Sequence, residues 1–199
     1  MNLNTTTIAI DAMGGDNAPF KILKGLELFL SEDKNCNIIL LGDKDLISHS
    51  IKKNNLRLFN YELIHTSENI KNADSASTIL RKRKKSSIFK GLEIIKKINN
   101  SGFVSAGNTA ALMILSRLHL GMIEGIDRPA ICSIIPNRND YSIMLDLGAN
   151  STVVAKNLLQ FAIMGFCYHS LLKPDIIPKI GIINIGTEDN KGLEFLKEA

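Results

Sequence analysis

Four stretches of this chain run from apolar residues into glycines flanked by small polar or acidic side chains. They are IAIDAMGGDNAP at 8–19, FVSAGNT at 103–109, IMLDLGAN at 143–150 and INIGTEDNKG at 183–192. Glycine has no Cβ, so backbone there can approach a ligand closely. Where such a turn opens a helix, free N–H groups and the positive end of the helix dipole form a seat for an anion such as phosphate. The candidate residues are Asp11, Gly14, Gly15 and Asp16 on the first loop and Ser105, Gly107, Asn108 and Thr109 on the second. Asp146, Gly148 and Asn150 stand on the third, Gly186 and Lys191 on the fourth. Ser105, Asn108 and Thr109 can donate hydrogen bonds at a helix start, and the same residue types cap helices for about 1 kcal/mol. Asp146 and Asn150 flank Gly148, a pattern shared with an Asx turn at a strand end. A lysine such as Lys191 at about 4 Å from a phosphate gains about 4 kcal/mol before desolvation, at an effective dielectric near 20.

Other chemistries find less support. Neither GxxxxGK[ST] nor GxGxxG occurs, so nucleotide binding through those loops is not supported. His49, His65, His119 and His169 form no metal-ligand spacing or triad, and are expected at the surface or core edge. Cys36, Cys132 and Cys167 lie far apart in apolar stretches, and are expected as buried, reduced thiols. The run RKRKK (Arg81, Lys82, Arg83, Lys84, Lys85) precedes Ser86, an expected N-cap. Cations oppose the dipole there, so the run is expected as a solvated loop or as a docking patch for an acidic partner. With no aromatic residues interleaved, and a net charge of only +4, nucleic acid is not an expected partner.

Positioning such loops is the task of a repeating strand–helix pattern. Strands are expected at 6–11, 37–41, 61–65, 102–105, 131–135, 142–147 and 179–185, and helices at 19–30, 44–53, 86–99, 109–120 and 156–172. Near-continuous apolar strands such as NIILL and IGIINIG fit a parallel sheet covered on both faces. The class is therefore α/β with a mostly parallel sheet. In an open sheet of that kind, ligands bind beyond the carboxyl ends of the strands. At 199 residues and 45% hydrophobic content, the chain can bury a substantial core. MNLNTTT lacks the features of a signal peptide, and 158–172 is too short to span a bilayer and reads as a buried helix.

In chain order, IAIDAMGGDNAP, RKRKKSS, VSAGNTAAL, IEGIDRPA, LDLGAN, LLQFAIMG and IGTEDNKG resemble the motifs of the phosphate acyltransferase (PlsX) family over nearly the whole chain. The resemblance implies a three-layer α/β/α fold like that of isopropylmalate dehydrogenase and phosphotransacetylase. It implies an enzyme of phospholipid biosynthesis, making acyl phosphate and free carrier protein from acyl-[acyl carrier protein] and inorganic phosphate. A membrane glycerol-3-phosphate acyltransferase then uses the product. Phosphate is itself the nucleophile, so no catalytic Ser or Cys is needed, and no cofactor or metal is implied.

On that resemblance Asn108, Lys191 and Asp146 are expected to be catalytic. Asp11, Gly14, Gly15, Asp16, Ser105, Gly107, Thr109, Gly148, Asn150 and Gly186 are expected to line the phosphate and substrate site. The acids would repel phosphate directly, so Asp11, Asp16 and Asp146 are expected to orient donors or accept a proton. Arg81, Lys82, Arg83, Lys84 and Lys85 are expected to dock the carrier protein. A homodimer in the cytoplasm is implied, with peripheral contact at the inner face of the cell membrane through a C-terminal part that relatives carry beyond this length. Residues 1–199 are thus expected to be the N-terminal portion of one α/β catalytic unit, inactive alone, with an unpaired strand edge or bare apolar face. Three departures stand out: Ala110 replaces a usual glycine, Lys85 replaces a usual acid, and STVVAKN at 151–157 lacks the usual acidic and proline-containing stretch. The alternatives are a phosphotransacetylase-like enzyme using coenzyme A thioesters, and a non-catalytic remnant that binds acyl carrier protein.

Overall fold

The computed structural model describes residues 5–32, 35–186 and 192–199, in two units, Met1–Gly121 and Met122–Ala199. In the first, β1 (Thr6–Asp11), β2 (Cys36–Gly42), β3 (Tyr61–His65) and β4 (Ser101–Val104) form one parallel sheet in the order β3-β2-β1-β4. Ile10 pairs with Leu40 on one side and Val104 on the other. Central β2, CNIILLG, is buried from Ile38 to Gly42, as a strand covered on both faces must be.

One face of the sheet packs Ile8, Ile10, Ile38 and Leu40 under α1 (Phe20–Glu32) and α2 (Lys44–Lys53). Leu23, Leu26 and Leu30 recur at helical spacing, so α1 turns one apolar stripe inward. Each buried leucine contributes about 1.5–3 kcal/mol by leaving water. Against the other face, Ala9, Ile39 and Leu41 meet Phe103 with Ile94 and Ile95 of α4 (Ser87–Lys97). α4 packs in turn on α5 (Thr109–Leu120) around Ile88, Leu92, Ala111 and Leu115. Three layers with a parallel sheet at the centre therefore stand in this unit, as expected. The expected strands at 6–11 and 61–65 and helices at 44–53 and 109–120 match to the residue.

The segment before α4 differs from expectation. It holds α3 (Ala76–Lys82), capped by Ser75, and a 3-10 turn at Arg83–Lys85, rather than an open loop. Arg81 and Lys82 occupy the last turn of α3, where cations complement the helix dipole. The charge run thus has a local stabilising reason that periodicity concealed. Ser86 caps α4 as expected, its hydroxyl accepting from Phe89 N at 3.3 Å.

In the second unit, β5 (Ser133–Pro136) and β6 (Tyr141–Met144) pair antiparallel, not as members of a parallel sheet. Four residues join them, far short of the dozen or so that a parallel crossover needs. Asn137 Oδ1 closes the turn by accepting from Asn139 N and Asp140 N at 3.0 and 2.8 Å. α6 (Ala155–Leu172) and the short α7 (Glu194–Glu198) follow. α6 is not the buried helix expected: it buries Asn157, Gln160 and Phe161 but exposes Leu159, Ile163, Phe166 and Leu171. Residues 179–185 form no strand. Their alternation supplies the side chains, but a strand exists only within a ladder, and no described strand lies alongside. Ile177, Ile183 and Ile185 are instead exposed, the bare apolar surface anticipated. Cys132 and Cys167 are likewise exposed, against the expectation of burial. Among the described residues no helix is long and apolar enough to cross a membrane.

Two helix glycines give opposite stability predictions. Nothing lies within 4 Å of a Cβ built on exposed Gly25 in α1, whereas one on Gly91 in α4 would run into the Phe103 ring. Gly25→Ala is expected to stabilise by about 0.5–1 kcal/mol, and Gly91→Ala to destabilise by about 1–3 kcal/mol through overpacking. Urea unfolding midpoints check both signs.

Candidate functional site

The strand order reverses at β1. The chain moves from β1 through β2 to β3 on one side, then returns to place β4 on the other. Ligands of open α/β sheets bind at such a reversal, beyond the carboxyl ends of the two strands. Here those ends carry the Asp11–Asp16 loop and the Ser105–Thr109 loop. Because Ile10 pairs with Val104, Asp11 and Ser105 emerge side by side.

Asp11 is 2% exposed and organises both loops. Its Oδ1 accepts from Met13 N at 3.0 Å and its Oδ2 from Ser105 Oγ at 2.7 Å. Ser105 Oγ in turn accepts from Gly107 N at 3.1 Å. The glycines then meet backbone to backbone. A Cβ on Gly14 would lie 2.7 Å from Asp11 Oδ2 and 2.8 Å from Gly107 N, and one on Gly107 would lie 3.2 Å from Gly14 Cα. Gly15 has φ +84°, a left-handed conformation, and sits against Ala106 O. Asp16 is exposed just outside this contact.

Asn108 caps α5 with Oδ1, accepting from Ala111 N at 2.9 Å. Its two amide hydrogens go to Lys71 O at 3.0 Å and Asn72 O at 3.2 Å. An amide nitrogen has two hydrogens to give, so Asn108 holds the loop after β3 and has no spare donor in this geometry. Thr109 N and Ala110 N, in the first turn of α5, make no hydrogen bond among the described residues. These two N–H groups, exposed beside the Gly14–Gly107 contact, are the open donors. The loop carrying Lys71 and Asn72 was not anticipated as part of the site. Its polar composition, SENIKNAD, signals a turn but says nothing of where it docks.

The second unit builds a separate set. Asp146 Oδ1 accepts from Ile131 N at 2.8 Å and Ala149 N at 3.2 Å, and Oδ2 from Asn150 N at 2.8 Å and Asn150 Nδ2 at 3.0 Å. Asn150 Nδ2 also reaches Pro129 O at 2.9 Å, and Gly148 takes φ +94° to complete the turn. Burial disfavours the Asp146 charge, but the hydrogen bonds from Asn150, Ile131 and Ala149 outweigh it and hold the carboxyl below the ordinary aspartate range. Gln160 fastens the neighbouring loop to α6, donating to Gly125 O at 2.7 Å and accepting from Asp127 N at 3.2 Å. Gly186 lies at the end of a described stretch without regular structure, and Lys191 lies outside the described residues.

Of the basic run, Lys82 pairs with Asp74 Oδ2 at 3.0 Å and Arg83 donates to Leu80 O, both half-buried. Arg81, Lys84 and Lys85 are exposed.

Residues 6–199 match the family model described as fatty acid synthesis protein. The chain is 42% identical over 192 residues to a phosphate acyltransferase of Thermoanaerobacter pseudethanolicus, covering 96% of this chain and 57% of the relative. It is 40% identical over 191 residues to a phosphate acyltransferase of Pelagibacter ubique, with the same coverage of both chains. This chain thus spans somewhat over half the length of those curated relatives. Among solved structures it is similar to EutD phosphotransacetylase from Staphylococcus aureus, with a TM-score of 0.59 and 18% identity, covering 84% of this chain and 53% of that one. That likeness is one of fold.

The lowered Asp146 pKa sets a pH dependence. A carboxyl that ionises more readily when folded adds stability above the unfolded value, about 3.9, and that stability is lost as pH falls through the lower folded value. Asp146→Asn is expected to be less stable than the parent at neutral pH. It should also lose less on going to about pH 3. Urea midpoints at the two pH values check this, and an unchanged pH dependence would contradict it.

Proposed function

The chain belongs to the fatty acid synthesis protein family, and we propose that it carries the phosphate-holding part of a phosphate acyltransferase. The reaction joins inorganic phosphate to the acyl group of acyl-[acyl carrier protein]. The observation that carries this reading is the pair of open N–H groups of Thr109 and Ala110 beside the Gly14–Gly107 contact.

In the proposed chemistry a phosphate oxygen attacks the thioester carbonyl carbon, and the carbonyl oxygen takes the negative charge. The C–S bond then breaks, the thiolate takes up the proton that the attacking hydrogen phosphate gives up, and acyl phosphate remains. No protein nucleophile takes part. What the protein must supply is alignment and hydrogen-bond donors for phosphate and oxyanion, the latter worth about 2.7–4 kcal/mol each. The N–H groups at the start of α5 are the donors. Asp11 and Ser105 keep the two loops together, and Asn108 is a positioning residue for the loop after β3. Asp146, with four hydrogen bonds, is proposed to position the Asn150 turn rather than to accept a proton, and Lys191 to supply a cation for phosphate.

Arg81, Lys84 and Lys85 are proposed to meet the acidic carrier protein. Homodimer formation, a cytoplasmic location, peripheral membrane contact and hand-over to a membrane glycerol-3-phosphate acyltransferase belong to the same proposal.

Phosphate titration followed through backbone amide signals is expected to move Gly107, Thr109 and Ala110. Gly14→Ala is expected to weaken that binding at least about tenfold, as lost close approach and displaced donors would require. Binding unaffected by Gly14→Ala would overturn the site. Product formation from carrier-protein and coenzyme A thioesters, measured side by side, is expected to favour the carrier protein. Preference for coenzyme A would support the phosphotransacetylase-like alternative. Carrier-protein binding without product would support the remnant.

Reversing Arg81, Lys84 and Lys85 to Glu is expected to weaken carrier-protein binding by roughly tenfold or more and to make the residual affinity less salt-dependent. Unchanged binding would remove the run from the docking surface.

A further inference from the structure

The basic run divides in two. Arg81, Lys84 and Lys85 face solvent, whereas the Lys82 side chain turns inward and is only 21% exposed. Lys82 Nζ donates to Asp74 Oδ2 at 3.0 Å and to Asn69 O at 3.3 Å. Both acceptors lie on residues 69–74, a strap that leads from β3 to α3.

Asp74 closes this strap on itself. Its Oδ2 also accepts from Lys71 N at 2.9 Å, and its own N–H donates to Lys71 O at 3.1 Å. The Lys71 N–H and the Lys82 ammonium hold the Asp74 carboxyl below the ordinary aspartate range, so it is charged at neutral pH. Lys71 O is also the atom that accepts from Asn108 Nδ2 at 3.0 Å, with Asn72 O taking the second hydrogen at 3.2 Å. The oxygen of the same Asn108 amide accepts from Ala111 N in the first turn of α5. An unbroken series of hydrogen bonds thus runs from Lys82 through Asp74, Lys71 and Asn108 to the turn that bears the open N–H groups of Thr109 and Ala110. Apolar packing follows the same path. Ile70 of the strap is buried with Ile79 of α3 and with Ala111 and Leu115 of α5.

Asp74 already closes the turn at 71–74 and Ser75 already caps α3, so neither feature requires Lys82. What Lys82 adds is a fixed separation between α3 and the strap, and hence a fixed place for the two carbonyls that hold Asn108. We propose that Lys82 and Asp74 are positioning residues for the α5 anion seat. They hold the strap, and through it Asn108, where the N–H groups of Thr109 and Ala110 stay aligned toward one oxyanion. The identity of that anion rests on the phosphate reading above, but the link itself does not.

Two readouts on the whole chain test it. Without phosphate, Asp74→Asn and Lys82→Met are expected to shift the Asn108 side-chain amide signals and to speed their exchange with water. Lys82→Arg is expected to preserve both, and the β2 amide signals should stay in place in all three variants. Unmoved Asn108 signals would overturn the link, whatever the chain binds.

With inorganic phosphate, Asp74→Asn and Lys82→Met are each expected to weaken the binding read at Gly107, Thr109 and Ala110 by about threefold or more. The sign for Asp74→Asn is decisive. Removing a negative charge near the seat would by Coulomb attraction alone strengthen anion binding. Tighter binding in Asp74→Asn would therefore overturn the positioning role. Lys97→Met removes the same charge from the exposed last turn of α4 and is expected to leave the affinity within about twofold. An equal loss in Lys97→Met and Lys82→Met would overturn the role as well. A parent chain with the Asn108 response but no phosphate shifts would instead refute the phosphate reading and leave the Lys82–Asp74 link in place.

Discussion

One hydrogen bond, from Ser105 Oγ to Asp11 Oδ2, ties the first glycine loop to the second. Everything at the strand reversal depends on it. The carboxylate is buried, so leaving its Oδ2 without a partner would cost about 1–3 kcal/mol, and that penalty enforces the alignment. Ser105 then passes the constraint on through the N–H of Gly107, which brings the two glycines into backbone contact. The acid never needs to touch an anion to shape the place where one would sit. This division explains how an aspartate can stand at the centre of the proposed phosphate site despite its charge.

Much of the first unit was legible because its signals are local and periodic. The buried run of β2 and the leucine stripe of α1 both follow from spacing alone, and the caps Asn108 and Ser86 announce helix starts. Less legible was anything that depends on partners remote in sequence. Asn108 reads equally as a cap, a ligand donor or a latch. Only the position of Lys71 and Asn72 decides where its amide hydrogens go. The basic run was misread for a related reason: seven residues of α3 are too short for periodicity to reveal, so its last turn looked like loop.

The second unit shows the complementary limit. Alternating isoleucines at 179–185 satisfy the composition of a strand, but pairing is not a property of one segment. The β5–β6 turn, by contrast, could have been recognised from length alone, since four residues permit only an antiparallel return. Asp146 lies between these cases. The Asx pattern with Gly148 and Asn150 was visible, while the reach to Ile131 and Pro129 was not.

Asp11 and Ser105 are 94 residues apart in the chain, and between them lie two further strands and four helices. The strand that completes the site is the last of its sheet in sequence and inserts next to the first. A nascent polypeptide therefore carries the Gly14–Gly15 loop well before it has any means of closing it. The proposed anion seat comes into being only when β4 has emerged and docked, together with the opening turn of α5. Assembly of this sheet and the meeting of its two glycine loops are one event in the life of the chain.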